Sequence, residues 1–377
     1  MKNFLCAFWT AVSLGFGAMA ATPPEFIHAT YSVSGLLTEA ELSNPRYDRF
    51  QFIYVMASPA WWNIDFDRPQ EAILRDADAF DYSLLEGGIA LTPEMVRQAH
   101  AAGTKILLCF GGTEQFRPML ERPERFASLA DYMVRVVENH GFDGIDIDWE
   151  STIVPERHAE FLWLLRKRLD ALSARSGRTC YLTTALGADV EYDDIPAKNL
   201  GAAVDWINVM TYDMSAGIWG DRPEHNTSMS DLQYYLSKWD RFGREKICAG
   251  LASYGFIYHG VHPGEKAARP LNECGAYITY NEFLSKLADG WTESYDPNAE
   301  VSYYFSPDGK DFVTIENPMS IRKKIEWIVR SGYRGAFWWE FHYDYRTPDA
   351  GCPDGSHALI DVVTDYLNTN QPTKTEK

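Results

Sequence analysis

The stretch FDGIDIDWE, residues 142–150, decides how the rest of the chain is read. In an extended strand alternate side chains share a face. Asp146, Asp148 and Glu150 therefore point one way, and Ile145, Ile147 and Trp149 the other. The apolar set asks for a covering layer of helices and the acidic set for the inside of a closed barrel. Glu150 then falls at the C-terminal end of the strand, where active sites of such barrels are built. Three carboxylates in register on a buried face cannot all ionise at low dielectric, so at least one retains or shares a proton. A raised pKa of that kind is what a general acid working near neutral pH requires. An exposed acidic turn would not be interleaved with Ile, Ile and Trp. A Mg²⁺ or Ca²⁺ site is the sharper rival. Carboxylates stacked on one strand offer poor octahedral spread, however, and no His accompanies them, so neither metal nor cofactor is expected.

Working outward, seven more short β-branched or apolar runs share this character. They begin at Phe26 (FIHATYSVSG), Phe50 (FQFIYVMA), Lys105 (KILLCFGG), Tyr181 (YLTTALG), Trp206 (WINVMTYD), Lys246 (KICAGLASY) and Gly335 (GAFWWEF). Between them lie helical patterns at residues 155–175, 230–242 and 320–330, with apolar residues at three- and four-residue steps. Eight strands alternating with helices predict an α/β chain folded as a (β/α)₈ barrel over residues 21–255 and 319–367. An open doubly wound sheet is the alternative, but no G-x-G-x-x-G follows the first strand. Residues 256–318 are too long for a bare loop and carry the strand-like pieces EVSYYF and DFVTI. They read as a small α+β insertion between strands seven and eight. The polar tail at 368–377 reads as disordered.

Residues 1–20 have the form of a secretory signal peptide: Lys2, an apolar run, then Ala18-Met19-Ala20 as a cleavage site. The expected destination is extracellular or periplasmic. Export permits disulfides. Cys109, Cys180 and Cys248 fall in or beside core strands and read as buried thiols, whereas Cys274 and Cys352 lie in loops and are candidates to pair. The formal net charge of −18 argues against nucleic acid and anionic membranes as partners. A neutral polysaccharide is indifferent to that charge, and 12 Trp, 21 Tyr and 20 Phe suit the flat faces of sugars as well as a large core. A monomer is expected.

DGIDIDWE, residues 143–150, matches the D-G-x-D-x-D-x-E pattern of family 18 glycoside hydrolases, the chitinase family. The resemblance runs across most of the mature chain. INVMTYDM (207–214) resembles that family's strand-six segment, SIRKKIEWIVRSGYRGAFWWEF (320–341) its final helix and strand, and residues 256–318 are similar in placement to the insertion of its chitinase branch. The resemblance implies substrate-assisted, retaining hydrolysis beside an N-acetylglucosamine, an exception to the two-carboxylate scheme. Glu150 would be the acid and base. Asp148 would hold the acetamido N–H, Asp146 would share its proton, and Tyr212 would orient the acetamido carbonyl. Trp339 would form the floor under the sugar, with Asp213, Met210, Tyr31, Tyr254 and Trp219 as further substrate contacts; Trp61 and Trp62 are candidates for the cleft. The implied partner is chitin or another N-acetylglucosamine-containing glycan. An endo-N-acetylglucosaminidase acting on N-glycans or peptidoglycan-like material, or a non-catalytic lectin, are the other readings. Four positions depart from the family pattern: Cys109 stands for a serine, Thr113 for an aromatic, Ser151 for a tyrosine and Phe256 for an arginine.

Overall fold

The computed structural model of the protein describes residues 25–33, 43–56, 61, 63–80, 93–112, 116–150, 153–192, 199–346 and 355–370. The signal-like residues 1–20, Trp62, Thr113, Ser151, Cys352 and residues 371–377 lie outside them. Thirteen strands are seen among the described residues. Seven come first: β1 (Ile27–Ser32), β2 (Phe52–Met56), β3 (Lys105–Gly112), β4 (Gly144–Trp149), β5 (Tyr181–Gly187), β6 (Trp206–Met210) and β7 (Ile247–Ala252). Five more form an insertion: β8 (Tyr254–His259), β9 (Gly275–Thr279), β10 (Thr292–Asp296), β11 (Val301–Phe305) and β12 (Asp311–Ile315). The last is β13 (Gly335–Trp339). The first seven and β13 close a parallel barrel in the order β1-β13-β7-β6-β5-β4-β3-β2, and the insertion is an antiparallel sheet in the order β10-β11-β12-β8-β9.

All eight runs picked out by their composition are barrel strands. The side-chain alternation divides the core into two layers. Ile145, Ile147 and Trp149 pack outward with Leu129, Met133, Leu162 and Leu165 of the helices Phe126–His140 and Pro155–Ser176. Trp149 stacks on Phe116 with centroids 4.4 Å apart. Each such fully buried aliphatic side chain contributes about 2 kcal/mol. The inner layer holds Tyr31, Tyr54, Trp206, Cys248 and Phe337. Hydrogen bonds cross it in one direction. Trp206 Nε1 donates to Tyr54 Oη at 2.8 Å, Tyr54 to Asn208 Oδ1 at 3.4 Å, Asn208 Nδ2 to Tyr31 Oη at 3.2 Å, and Tyr31 to Asp146 Oδ2 at 2.8 Å.

Some boundaries differ from expectation. The insertion begins at Tyr254, because Ser253 alone separates β7 from β8 and anchors that corner: its hydroxyl donates to the Glu340 carbonyl at 2.5 Å. The predicted helix at 230–242 stops at Ser237 and gives way to a 3₁₀ turn, Asp240–Phe242, where Trp239 and Phe242 turn into the core. The last helix, Ile360–Asn370, carries residues 368–370 that read as disordered tail. Its first turn is held by buried Asp344, which accepts from the backbone N–H groups of Ala358, Leu359 and Ile360. Cys109, Cys180 and Cys248 are buried free thiols, as is Cys274, whose sulfur donates to the Pro270 carbonyl. Among the described residues no helix is long and apolar enough to cross a membrane.

The motif glycine has a steric reason. A Cβ on Gly144 would lie 2.1 Å from the Tyr181 carbonyl oxygen, where β5 starts alongside β4. Backbone cannot yield there without breaking the parallel pair. Gly144→Ala is therefore expected to lower stability by roughly 3 kcal/mol, measured as a shift in the urea midpoint at unchanged m-value. A shift under about 0.5 kcal/mol, the scale of an ordinary surface change, would show that the two strands separate freely.

Candidate active site

Asp143, the first acid of the motif, lies at the N-terminal end of the barrel, away from the others. It accepts from the Ile106 backbone N–H at 3.0 Å and pairs with His100 at 2.8 Å, which makes it a structural tie. Asp146 sits within the barrel, fully buried, and accepts from Tyr31 Oη at 2.8 Å and Thr183 Oγ1 at 2.5 Å. The Cys109 thiol donates to it as well, filling the place of the hydroxyl common in the family. Burial raises the Asp146 pKa and these three donors oppose the rise.

Asp148 is in a different situation. It is 3% exposed, and among the described residues its Oδ1 has no hydrogen-bond partner. Gly111 leaves room for it, since a Cβ there would lie 3.0 Å from Asp148 Oδ2 and 2.6 Å from Met56 Cε. Burial pushes the Asp148 carboxyl well above the usual carboxylate range, and the negative charges of Glu150 and Asp146 push it further. Of the two aspartates, Asp148 is the one held further from ionisation.

Glu150, one residue past β4, opens onto a cavity of about 480 Å³. Its pKa is raised by desolvation first and by the charge of Asp213 second. The barrel lines this cavity with Glu150, Tyr212, Asp213 and Trp339, and the insertion adds Tyr254, Tyr277, Ile278, Thr279 and Glu282. Tyr343, from the turn Phe341–Asp344 after β13, completes it. Tyr254 donates to Asp213 Oδ1 at 2.7 Å, and burial raises the Asp213 pKa against that bond. Asp213 itself is held at φ 59°, a left-handed backbone rare for a non-glycine residue. Among the described residues no group of three or more His, Cys, Asp or Glu is arranged to hold a metal ion.

The structure thus brings Glu150, Asp148, Asp146, Tyr212, Asp213, Tyr254 and Trp339 together at one end of the barrel. Trp338, at opposite parity to Trp339, belongs to the outer core and donates to His28 at 2.9 Å. Three expected contacts fall elsewhere. Tyr31 is 1% exposed and lies below the cavity, its hydroxyl committed to Asp146 and its ring 5.6 Å from that of Trp339. Met210 faces inward against the inner layer without lining the cavity. Trp219 stands 71% exposed at the rim, on the turn Gly217–Trp219, and donates to Tyr277. Trp61 is core, packed on Phe116 at 4.9 Å. Phe256 is fully buried and fills the space beside Gly217, where a Cβ would meet its ring at 2.3 Å. Tyr277, Thr279, Glu282 and Tyr343 carry no signal in the sequence: an edge strand and a short turn have no periodic pattern that aims a side chain at a distant pocket.

An aromatic-walled cavity with a carboxyl of raised pKa at its mouth, above a buried aspartate pair, at the C-terminal end of a (β/α)₈ barrel defines a glycosidase-type site. The chain belongs to family 18 of the glycosyl hydrolases, whose sequence profile matches residues 19–344. Among its relatives, a probable endochitinase of Caenorhabditis elegans is 27% identical over 297 residues, covering 69% of this chain. The match covers 47% of that protein's own length. Among solved structures, an immunomodulatory active chitinase from Trichuris suis superposes with a TM-score of 0.72 at 20% identity, covering 91% of this chain and 100% of that one. A family 18 chitinase from Cycas revoluta, in complex with (GlcNAc)₃, gives 0.68 at 18% identity, covering 90% and 99%.

Because Asp213 disfavours ionisation of Glu150, removing its charge should let Glu150 titrate lower. Carboxyl-carbon NMR of Asp213→Asn is expected to show the Glu150 pKa moved down toward the ordinary range. An unchanged or higher value would mean that the two carboxyls do not interact.

Proposed function

We propose that the protein hydrolyses β-1,4 linkages of N-acetylglucosamine polymers or oligomers, using the substrate's own acetamido group as nucleophile. The observation that carries this reading is the unpartnered, buried Oδ1 of Asp148 beside Glu150. A buried acceptor without a donor costs on the order of 1–3 kcal/mol, and the acetamido N–H of a bound sugar is a donor of the right kind. Glu150, its carboxyl held above the usual range by desolvation and the charge of Asp213, gives its proton to the glycosidic oxygen as that bond breaks. The acetamido carbonyl oxygen attacks the anomeric carbon and closes an oxazolinium ring. Asp148 stabilises the positive charge that develops on the amide nitrogen. Tyr212, at the cavity wall, orients the carbonyl for attack. Glu150, now ionised, takes a proton from the incoming water, which opens the ring with retention at the anomeric carbon. Asp146, whose three donors offset part of the penalty of its burial, shares the pair's proton, and that proton shifts as Glu150 changes state.

The lining suits an uncharged, flat-faced sugar: among the described residues it holds Trp339 and four tyrosines beside Glu150, Asp213 and Glu282, with no Lys, Arg or His. Trp339, from β13, offers a flat apolar face under the cleaved residue. The signal-like residues 1–20 fit export, and with it an extracellular or periplasmic glycan as substrate.

Glu150→Gln, nearly isosteric, is expected to lower kcat on N-acetylglucosamine oligomers by about 100-fold or more. Oligomers carrying a free amine at the cleaved sugar should be inert to the wild-type enzyme, with products identified by mass. Normal turnover of such substrates would remove the acetamido nucleophile from the mechanism, and full activity of the glutamine variant would remove the acid.

A further inference from the structure

Asp213 and Tyr254 come from different parts of the fold, the end of β6 and the first strand of the insertion, yet they meet at 2.7 Å on the cavity wall. One side chain spans the two backbones that present them. Asn226, 3% exposed, accepts the Asp213 backbone N–H on Oδ1 at 2.6 Å and donates from Nδ2 to the Tyr254 carbonyl at 3.3 Å. Its own carbonyl accepts the N–H of Met214 at 2.9 Å. The amide therefore closes a ring of hydrogen bonds, Asn226 to Asp213 to Tyr254 and back, and holds Asp213 in its left-handed backbone. No apolar or singly functional side chain could make both contacts.

We propose that Asn226 is a positioning residue of the hydrolytic site, fixing Asp213 and Tyr254 against each other beside Glu150. It touches neither the cavity nor the reacting atoms. The segment around it is anchored for the task. His225 stacks on Tyr303 of the insertion with centroids 3.8 Å apart, and its Nδ1 meets Thr314 Oγ1 at 3.0 Å. Thr227 Oγ1 donates to the Thr211 carbonyl at 2.9 Å. The Thr227 carbonyl in turn accepts from Lys324 at 2.7 Å, and that ammonium is buried in an ion pair with Glu316. Asn226 is thereby mounted on the seam between barrel and insertion.

The titratable groups facing Asp213 are Glu150 from β4, Tyr212 beside it, and Tyr254, Tyr258 and Tyr277 from the insertion. Those around the Asn226 segment are His225, Asp296, Glu316 and Lys324. If Asn226 works through Asp213, its loss must affect Glu150 as the loss of the Asp213 charge does. The inference rests on the hydrolase reading above.

The test compares Asn226→Ala, Asp213→Asn and the double variant in pH profiles of kcat/KM on an N-acetylglucosamine oligomer. Asn226→Ala is expected to move the alkaline limb to lower pH, in the same sense as Asp213→Asn. Adding it to Asp213→Asn should shift the limb no further and cost less than about two-fold more. An unmoved limb in folded Asn226→Ala, or costs that multiply in the double variant, overturns the proposal. Should the alanine variant not fold, Asn226→Asp keeps the shape. Protonated, it makes both contacts; ionised, it cannot donate to Tyr254. It should match wild type at the acid end and then lose activity in an added step below the wild-type alkaline limb. A superimposable profile overturns the proposal. A crystal structure of either variant gives a readout without turnover: a Tyr254–Asp213 contact kept at 2.7 Å in Asn226→Ala overturns it. Absence of turnover by the wild type would sink the hydrolase reading alone.

Discussion

The energetic problem at the centre of this fold is a carboxylate taken out of water. Asp146 is fully buried in the barrel, where an ionised group without partners would cost several kcal/mol. The barrel answers with donors from β1, β3 and β5: Tyr31, Cys109 and Thr183. Tyr31 is itself polarised by Asn208, Tyr54 and Trp206 behind it. Among the described residues Asp148, two residues on, receives no such support at Oδ1. The asymmetry between two neighbouring aspartates of one strand makes one harder to ionise than the other and leaves one acceptor oxygen without a donor among the described residues.

Around that axis the insertion acts as a second wall. Half of the residues lining the cavity come from β8, β9 and the start of the helix after them. Glu282 and Thr279 are a reciprocal helix cap as well as lining, so the pocket surface there is the N-terminus of the helix Tyr280–Ala288. Phe256, placed where the family commonly has an arginine, makes that wall a packing surface against Gly217. At the rim the Tyr277 ring therefore lies against hydrocarbon, 5.2 Å from that of Phe256, its partner across the β8–β9 ladder.

What the chain discloses in advance follows from what is periodic. The two-residue alternation in 144–150 separates Asp146 and Asp148 from Ile145 and Ile147, and the structure keeps that division. The same parity separates Trp338 from Trp339 and places Met210 inward. Parity gives a face and not a depth, which is why Tyr31 and Met210 read as substrate contacts while they lie beneath or beside the cavity. Asn226, Tyr277 and Glu282 were illegible for another reason. Their neighbours are distant in sequence, and an asparagine between a histidine and a threonine looks like any loop polar residue. Asp143 shows the converse: an acid inside the motif is spent on His100 and the backbone of β3.

The line of donors running to Asp146 begins at an indole nitrogen, and that origin has a consequence for traffic. Trp206 can give a hydrogen bond and cannot accept one at Nε1. The line therefore steadies charge electrostatically while offering no exit for a proton toward the barrel floor. Tyr54 and Tyr31, both with hydroxyl acidities pushed far into the alkaline range by burial, are closed to it as well. Along this path the barrel is an insulator, and the aspartates' exchange with bulk water is directed to the end where the cavity opens.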